Sequence, residues 1–352
     1  MADEDELDYP VAEAIAPGAV HEVAPGVFWL RMPLDLTGLD HINLWLLRDG
    51  DGWTVVDTGM KSDRIHEIWE GVFAEQLDGR PITRVICTHF HPDHMGQAGW
   101  LTRHWNCALW TTRQEWLFGR MISLDRQDEV PTWFLDHYRR IGLSDRALTA
   151  MSERGYNHYN SVVTPIPDQV RRVSSGEVLR IGAHDWQVIT GQGHSPEHVC
   201  LFCEELGLMI SGDQVLPRIT PHIGIYPSEP DANPLQDYID SLDKFAGLPS
   251  DLLVLPAHGL PFRGLEKRLD ALRRHHADRL NLLEDFCVEP TRALSTLEAM
   301  FGRRLSPFEA FLGLAESMAH LNCLMGQGRV ARDADDQGVW RYQATSHRAD
   351  AA

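Results

Sequence analysis

The chain has 352 residues, of which 43% are hydrophobic, so it is long enough and apolar enough to bury a substantial globular core. Lys and Arg number 32 and Asp and Glu number 51, which gives a formal net charge of −19 at pH 7. This acidic balance argues against nucleic acid and anionic membranes as nonspecific partners. No run of about 18 apolar residues occurs, and the acidic start MADEDELDYP lacks the pattern of a secretory signal, so we expect a cytoplasmic protein.

Short apolar runs alternate with helical stretches between residues 20 and 263, which predicts an α/β catalytic domain built in layers. The predicted strands are Val27–Arg31, Ile42–Leu47, Trp53–Asp57, Ile82–Thr88, Trp186–Thr190, Val199–Cys203, Leu208–Ser211 and Leu252–Pro256. Residues 113–160 show no strand pattern and predict a helical insertion, of a kind that often forms a lid or a pocket wall. Trp116, Trp133 and Tyr138 in this insertion would either line a pocket or form an ordinary helix core.

The pattern changes after residue 264. Apolar residues recur at steps of three or four from Leu265 to Leu283 and from Phe311 to Met325, which predicts two amphipathic helices. A polar turn from Asp333 to Gly338 lies between two short strand-like runs and predicts a hairpin. Residues 264–345 are therefore predicted to form a small winged-helix-like domain, while residues 1–19 and 346–352 are predicted to be flexible ends.

The six cysteines are spread along the chain and do not form a disulfide framework, which favours reduced thiols. Cys200 and Cys203 have the spacing of a redox or zinc motif, but no second such pair would complete four sulfur ligands. Leu201 and Phe202 lie between them and favour a buried strand, so we interpret both cysteines as structural.

The strongest functional pattern is Thr88-His-Phe-His-Pro-Asp-His94, directly after a predicted strand. Clustered imidazoles and a carboxylate cost free energy inside a protein unless something binds them. A divalent metal meets that requirement, since imidazole nitrogen and carboxylate oxygen both suit zinc at roughly 2.0–2.2 Å. The sequence therefore predicts a metal site here.

Other predicted strands also end in a polar residue beside glycine. The residues in these positions are Asp57, His194, Asp213 and His258. A sheet whose strands end in this way places all of these side chains along one edge. We therefore expect them to lie with the histidine motif.

These motifs, in this order, resemble the metallo-β-lactamase superfamily over roughly residues 27–263. The resemblance implies a four-layer αββα sandwich and a centre of two zinc ions, with iron or manganese as alternatives. It implies that His89, His91 and His194 bind one metal, that Asp93, His94 and His258 bind the other, and that Asp213 bridges them. It also implies that Asp57 lies behind the ligands and orders the histidine loop. The true β-lactamases carry Cys at the bridging position, so Asp213 argues against a lactam substrate.

The metals imply the mechanism: a bridging hydroxide formed at neutral pH attacks, while Asp93 orients it and passes a proton to the leaving group. His198 is interpreted as a structural residue behind the ligands. Arg218, His222 and Tyr226 follow the bridging Asp213 and would either contact a polar substrate or only pack the loop.

The C-terminal segment and the loop Gly212-Asp-Gln-Val-Leu-Pro-Arg resemble the lactamase-β2-like hydrolases, and the metal site resembles that of the hydroxyacylglutathione hydrolases. The first hypothesis is therefore hydrolysis of an activated acyl bond in a small molecule, a thioester of acyl-glutathione or acyl-CoA. The glutathione-binding basic residues of that group have no match here.

Three alternatives stay open. A lactonase is disfavoured because Leu216 stands where homoserine-lactone hydrolases carry Tyr. A phosphodiesterase or ribonuclease would use the winged-helix-like domain, against the acidic net charge. A metal scaffold or di-iron redox protein would lack the flavin-binding domain that usually accompanies it. Apolar residues of the C-terminal domain would support a homodimer.

Overall fold

The computed structural model describes residues 7–11, 13–36 and 38–345. The chain divides into two compact units, each built from three segments. The first unit comprises Met1–Asp125, Asn157–Pro221 and Leu242–Leu269, and the second comprises Arg126–Tyr156, His222–Ser241 and Asp270–Ala352. The predicted tail 346–352 and residues 1–6 and 12 of the predicted flexible start lie outside the described residues. The predicted domain boundary at residues 263 and 264 stays a prediction.

The strands are β1 (Val20–Ala24), β2 (Val27–Leu36), β3 (Leu39–Asp49), β4 (Gly52–Val56), β5 (Ile82–Ile86), β6 (Ala108–Thr111), β7 (Arg171–Arg172), β8 (Val178–Ile181), β9 (His184–Gly191), β10 (His198–Cys203), β11 (Leu208–Gly212), β12 (Leu253–Pro256), β13 (Val330–Ala334) and β14 (Trp340–Ala344). The α-helices are α1 (Asp63–Glu75), α2 (Pro92–Met95), α3 (Ala98–Trp105), α4 (Arg113–Leu124), α5 (Thr132–Arg140), α6 (Asp145–Arg154), α7 (Tyr159–Val162), α8 (Pro234–Ser241), α9 (Leu265–Phe286), α10 (Thr296–Phe301) and α11 (Pro307–Gly326). No helix of the described residues is both long enough and apolar enough to span a membrane.

Two sheets form the first unit. One has the strand order β1-β2-β3-β4-β5-β6-β7, antiparallel from β1 to β4 and parallel from β4 to β7. The other has the order β12-β11-β10-β9-β8, in which only β11 and β12 are parallel. Side chains from both sheets meet in one apolar core, which includes Trp29 and Trp45 from the first sheet and Trp186 and Leu201 from the second. Since α3 packs against β5 and β6, the layers predicted from the sequence are confirmed.

Every strand predicted from an apolar run is present, and the predicted insertion is helical, from α4 to α7. Four strands were not predicted: β1, β6, β7 and β8. β7 consists of Arg171 and Arg172, both exposed. β1 has no buried residue. Edge strands such as β1 and β7 form because they pair with a neighbouring strand. The hydrophobicity of their residues does not predict them.

The second unit contains the predicted C-terminal helices and hairpin. α11 begins with a capping box, in which Ser306 and Glu309 satisfy one another's backbone N–H groups. β13 and β14 form the hairpin with five paired residues on each strand. These elements confirm the predicted helices and the predicted hairpin.

Candidate metal centre

The candidate site lies where strands of both sheets in the first unit end. The histidine motif follows β5, and its last residues form the short helix α2, which begins with Pro92. Asp57 directly follows β4, and Asp213 directly follows β11. His194 and His258 follow β9 and β12 within three residues. The structure thus brings all seven predicted metal ligands to one edge of the sandwich.

The first donor group consists of His89, His91, His194 and Asp213, whose candidate ligand atoms all lie within 4.8 Å of one another. His91 Nδ1 is 2.9 Å from His89 Nε2 and 3.1 Å from His194 Nε2. The remaining pair, His89 Nε2 and His194 Nε2, is 3.1 Å apart. A tetrahedral zinc ion with nitrogen ligands at 2.0–2.1 Å would separate them by about 3.3 Å. This triangle of nitrogens therefore has nearly the spacing that zinc requires.

The second donor group consists of Asp93, His94 and His258, all buried. Asp93 Oδ2 is 3.5 Å from His94 Nε2 and 3.3 Å from His258 Nε2. Asp213 lies between the two groups, because its Oδ2 is 3.3 Å from His194 Nε2 and its Oδ1 is 3.3 Å from His258 Nε2. A carboxylate in this position is suited to ligate two cations at once.

Several of these atoms have no hydrogen-bond partner, which tests whether a metal fits. His94 Nε2, His258 Nε2 and Asp213 Oδ1 are buried without such a partner. Buried polar atoms are rarely left unsatisfied, and each costs about 1–3 kcal/mol. A cation among them would satisfy all three, so the donor set fits a metal centre.

Electrostatics differ between the two groups. Burial, followed by the neighbouring imidazoles, lowers the pKa of His89 and of His91 well below the ordinary value, so these rings are neutral donors. Burial raises the pKa of Asp93, but His94 and His258 lower it to about 2. Burial lowers the pKa of His258, but Asp213 and Asp93 raise it to about 10. The second group thus attracts positive charge strongly.

Residues behind the ligands fix the histidine rings. Asp57 Oδ2 accepts a hydrogen bond from His94 Nδ1 at 2.8 Å, and its Oδ1 accepts the backbone N–H of Thr88 at 2.7 Å. His258 Nδ1 donates to the carbonyl of His41 at 2.7 Å. Both arrangements leave Nε2 of the ring directed into the second donor group, as a metal ligand requires.

His198 lies beside the first donor group but is not one of its donors. Its Nε2 accepts the backbone N–H of Asp213 at 3.1 Å, so this nitrogen is already used in holding the bridging residue. Gly212 permits this approach, because a Cβ there would lie 2.5 Å from the His198 ring. The geometry supports the interpretation of His198 as a positioning residue.

The predicted substrate-binding residues are separated by the division into units. Arg218 is exposed in the first unit, with its guanidinium 5.7 Å from the ring centre of Tyr9. His222 and Tyr226 belong to the second unit, where His222 Nδ1 is 4.0 Å from Glu316 Oε2. None of the three is a member of either donor group. Their contact with a substrate stays a prediction.

Sequence reasoning missed three residues around the donor groups. Thr88 Oγ1 contacts Asp57 and also lies 3.0 Å from His89 Nδ1, and its place within the motif could have indicated this. His41 contacts the loop of His258 from 217 residues away in the chain, and no local pattern could have indicated it. Glu115 is fully buried in α4 and bonds two of the ligand loops. In sequence it is an ordinary helix residue.

Comparison with known proteins agrees with this geometry. Residues 37–258 match the family described as the metallo-beta-lactamase superfamily, and residues 280–345 match the metallo-beta-lactamase-like C-terminal domain. The crystal structure of a beta-lactamase domain protein from Burkholderia ambifaria is 43% identical, covers 97% of this chain and 99% of that chain, and superposes with a TM-score of 0.90.

Two curated relatives are more distant. The probable metallo-hydrolase YqjP of Bacillus subtilis is 24% identical over 86% of this chain and 93% of its own length. The acyl-coenzyme A thioesterase MBLAC2 of Gallus gallus is 27% identical over 54% of this chain and 63% of its own length.

Proposed function

As this chain belongs to the metallo-beta-lactamase superfamily and is a metallo-hydrolase, we propose that it hydrolyses a thioester of the acyl-coenzyme A or acyl-glutathione type. We propose further that the two donor groups hold two zinc ions. The supporting observation is the position of Asp213, whose two oxygens each lie 3.3 Å from a histidine of a different donor group. The similarity to an acyl-coenzyme A thioesterase favours a thioester among the acyl bonds.

Divalent metals held by the two donor groups would supply Lewis-acid chemistry, which lowers the pKa of a water molecule to about 7 and polarises a carbonyl oxygen. The chain's own contribution to proton transfer is Asp93. Because its pKa is lowered to about 2, its carboxylate is ionised at neutral pH and can accept a proton from the attacking water at Oδ2. This Oδ2 lies 3.3 Å from His258 Nε2.

The leaving group separates thioesters from other acyl substrates. A thiol has a pKa of about 8.5, so a thiolate departs with little need of a proton. An alkoxide from an ester or lactone needs the proton that Asp93 collects. Loss of the Asp93 carboxylate should therefore slow ester and lactone hydrolysis more than thioester hydrolysis at equal zinc content.

The lactonase alternative has less support in the structure. Leu216, at the position where homoserine-lactone hydrolases carry Tyr, is only 2% exposed and is apolar. It offers no hydroxyl group to a lactone. The net charge of −19 continues to disfavour a polynucleotide substrate.

A substrate panel tests the proposal. Zinc-loaded protein is assayed with acyl-CoA, acyl-glutathione, acyl lactones, a phosphodiester, short RNA and a β-lactam. Chelator-treated protein and Asp93→Asn are assayed beside it. The matched control is Asp49→Asn, because Asp49 is also a partly buried carboxylate that accepts several hydrogen bonds but belongs to neither donor group.

We expect turnover of a thioester that chelation abolishes, that Asp93→Asn reduces and that Asp49→Asn leaves intact. Turnover of RNA or the phosphodiester alone would overturn the proposal and would make the C-terminal domain a candidate nucleic-acid-binding module. Turnover of a lactone alone would show that the substrate is a lactone and not a thioester.

A further inference from the structure

Glu115 lies in the first turn of α4 and its side chain is fully buried. Its carboxylate accepts three hydrogen bonds from two other segments of the first unit. Oε2 accepts the backbone N–H of Phe90 at 3.0 Å. Oε1 accepts the hydroxyl of Ser195 at 2.7 Å and the backbone N–H of Glu197 at 2.6 Å. A single carboxylate thus joins two loops that are far apart in the sequence.

These two loops supply the three histidines of the first donor group. Phe90 lies between His89 and His91, and Ser195 directly follows His194. The separation of the loops sets the distances from His194 Nε2 to His91 Nδ1 and to His89 Nε2, both of which are 3.1 Å. Since Glu115 bonds both loops, it fixes this separation directly.

Further contacts hold α4 itself against the same loops. Thr112, at the N-terminal end of α4, donates its hydroxyl to the carbonyl of Glu197 at 2.8 Å. Phe118 packs its ring 4.7 Å from the ring of Phe90. The helix therefore presents the carboxylate from a fixed position, and the three hydrogen bonds form without further ordering of the side chain.

Joining two loops through a buried carboxylate costs free energy of folding. Burial raises the pKa of Glu115 to about 7, so the protein destabilises its charged form by placing it here. A well-packed apolar side chain would often serve stability equally well. An apolar side chain could not accept hydrogen bonds from two backbone N–H groups and a hydroxyl. These hydrogen bonds set the geometry of the two loops.

We propose that Glu115 is a positioning residue for the first donor group, whose carboxylate holds the loop of His89 and His91 at ligand distance from the loop of His194. The inference rests on the proposed metal centre. It assigns Glu115 to one half of that centre, because its three partners adjoin the histidines of the first donor group: Phe90 lies between His89 and His91, and Ser195 and Glu197 closely follow His194. Substitution of Glu115 should therefore weaken one metal-binding step and leave the other.

The variant Glu115→Gln tests this role. Gln has nearly the same size, but its NH₂ group cannot accept a hydrogen bond, so at least one of the three donors then faces another N–H. Zinc binding is measured by competition with a chromophoric chelator, and the variants His194→Ala and His258→Ala identify which step belongs to which donor group. The cobalt-substituted protein supplies an absorption spectrum that reports ligand geometry.

We expect Glu115→Gln to lower zinc affinity by about 10- to 100-fold in the binding step that His194→Ala removes. The variant should also alter the cobalt spectrum. Zinc affinity in the step that His258→Ala removes should not change. Ser195→Ala, which deletes one donor and keeps the carboxylate, should weaken the same step to a smaller extent. It also keeps the test informative if Glu115→Gln fails to fold. Asp49→Asn should lower the melting temperature without changing either step.

Equal weakening of both steps, or unchanged zinc binding and spectrum in a folded Glu115→Gln, would overturn the inference. The titration needs no substrate. If the protein binds zinc in two steps but hydrolyses no thioester, the proposed substrate is wrong and the proposed role of Glu115 is unaffected. A wild-type chain that binds no zinc would overturn both.

Discussion

Replacing Asp57 by Asn should weaken metal binding in the second donor group through the tautomer of His94. Asp57 Oδ2 accepts the proton on His94 Nδ1 at 2.8 Å, which leaves Nε2 unprotonated and directed at Asp93 and Asp213. In Asp57→Asn, the amide oxygen can still accept the N–H of Thr88, but an NH₂ group then faces Nδ1. The ring proton must move to Nε2, where it blocks a cation.

The backbone should tolerate this change. Asp57 has a φ of 62°, a left-handed conformation that Asn adopts as readily as Asp. The effect is therefore electrostatic and local. Loss of a residue that orients a metal-ligating histidine typically weakens metal affinity 10- to 100-fold, which corresponds to about 1.4–2.8 kcal/mol. We expect this loss in the step that His258→Ala removes.

Zinc competition at fixed pH measures the effect, together with hydrolysis at limiting and at excess zinc. Asp49→Asn is again the matched control, because Asp49 accepts hydrogen bonds from Thr54, Thr83 and Gly182 and belongs to neither donor group. The reasoning is refuted if folded Asp57→Asn binds zinc like the wild type. It is equally refuted if the step that His194→Ala removes is the one that weakens.

Two further predictions concern stability. Removing the metals with a chelator should lower the melting temperature, since His94 Nε2, His258 Nε2 and Asp213 Oδ1 are then buried without a partner. Zinc at 1,000 times its Kd should restore about 4 kcal/mol of the free energy of unfolding. A melting temperature that does not depend on free zinc would contradict this prediction. Burial raises the pKa of Glu316 in α11 from 4.5 to about 7, so stability should fall as pH rises between those values, by at most roughly 3 kcal/mol. Glu316→Gln should reduce this slope in thermal melts from pH 4 to 8, while the part due to Glu115, whose pKa burial also raises to about 7, remains. Glu298→Gln, at an exposed position, should leave the slope unchanged.

The sequence predicted the candidate metal ligands because their chemistry is concentrated in short motifs. Three histidines and Asp93 lie within the segment from His89 to His94, and each remaining candidate stands within four residues after an apolar run. Hydrophobicity locates the buried strands, and a strand's end is where a polar side chain leaves the core. Residue type and strand position together were sufficient to locate the seven candidate ligands.

The residues behind the ligands could not be found in this way. His41 bonds the loop of His258 across 217 residues, and Glu115 bonds Glu197 across 82 residues. Both contacts arise only when separate elements pack, and neither residue stands in a recognisable local pattern. Edge strands such as β7 escape prediction for the same reason, because pairing with β6 creates them.

The two donor groups differ in the types of ligand that surround them. Three imidazoles dominate the first group, while both carboxylates, Asp93 and Asp213, contact the second. Two divalent cations would carry four positive charges against these two negative ones, so the occupied site would have a net positive charge. Such a charge in a buried site stabilises the anionic transition state of acyl transfer. Glu115 and Asp57, each behind a different group, place the donors before any cation binds, so little reorganisation should accompany the reaction.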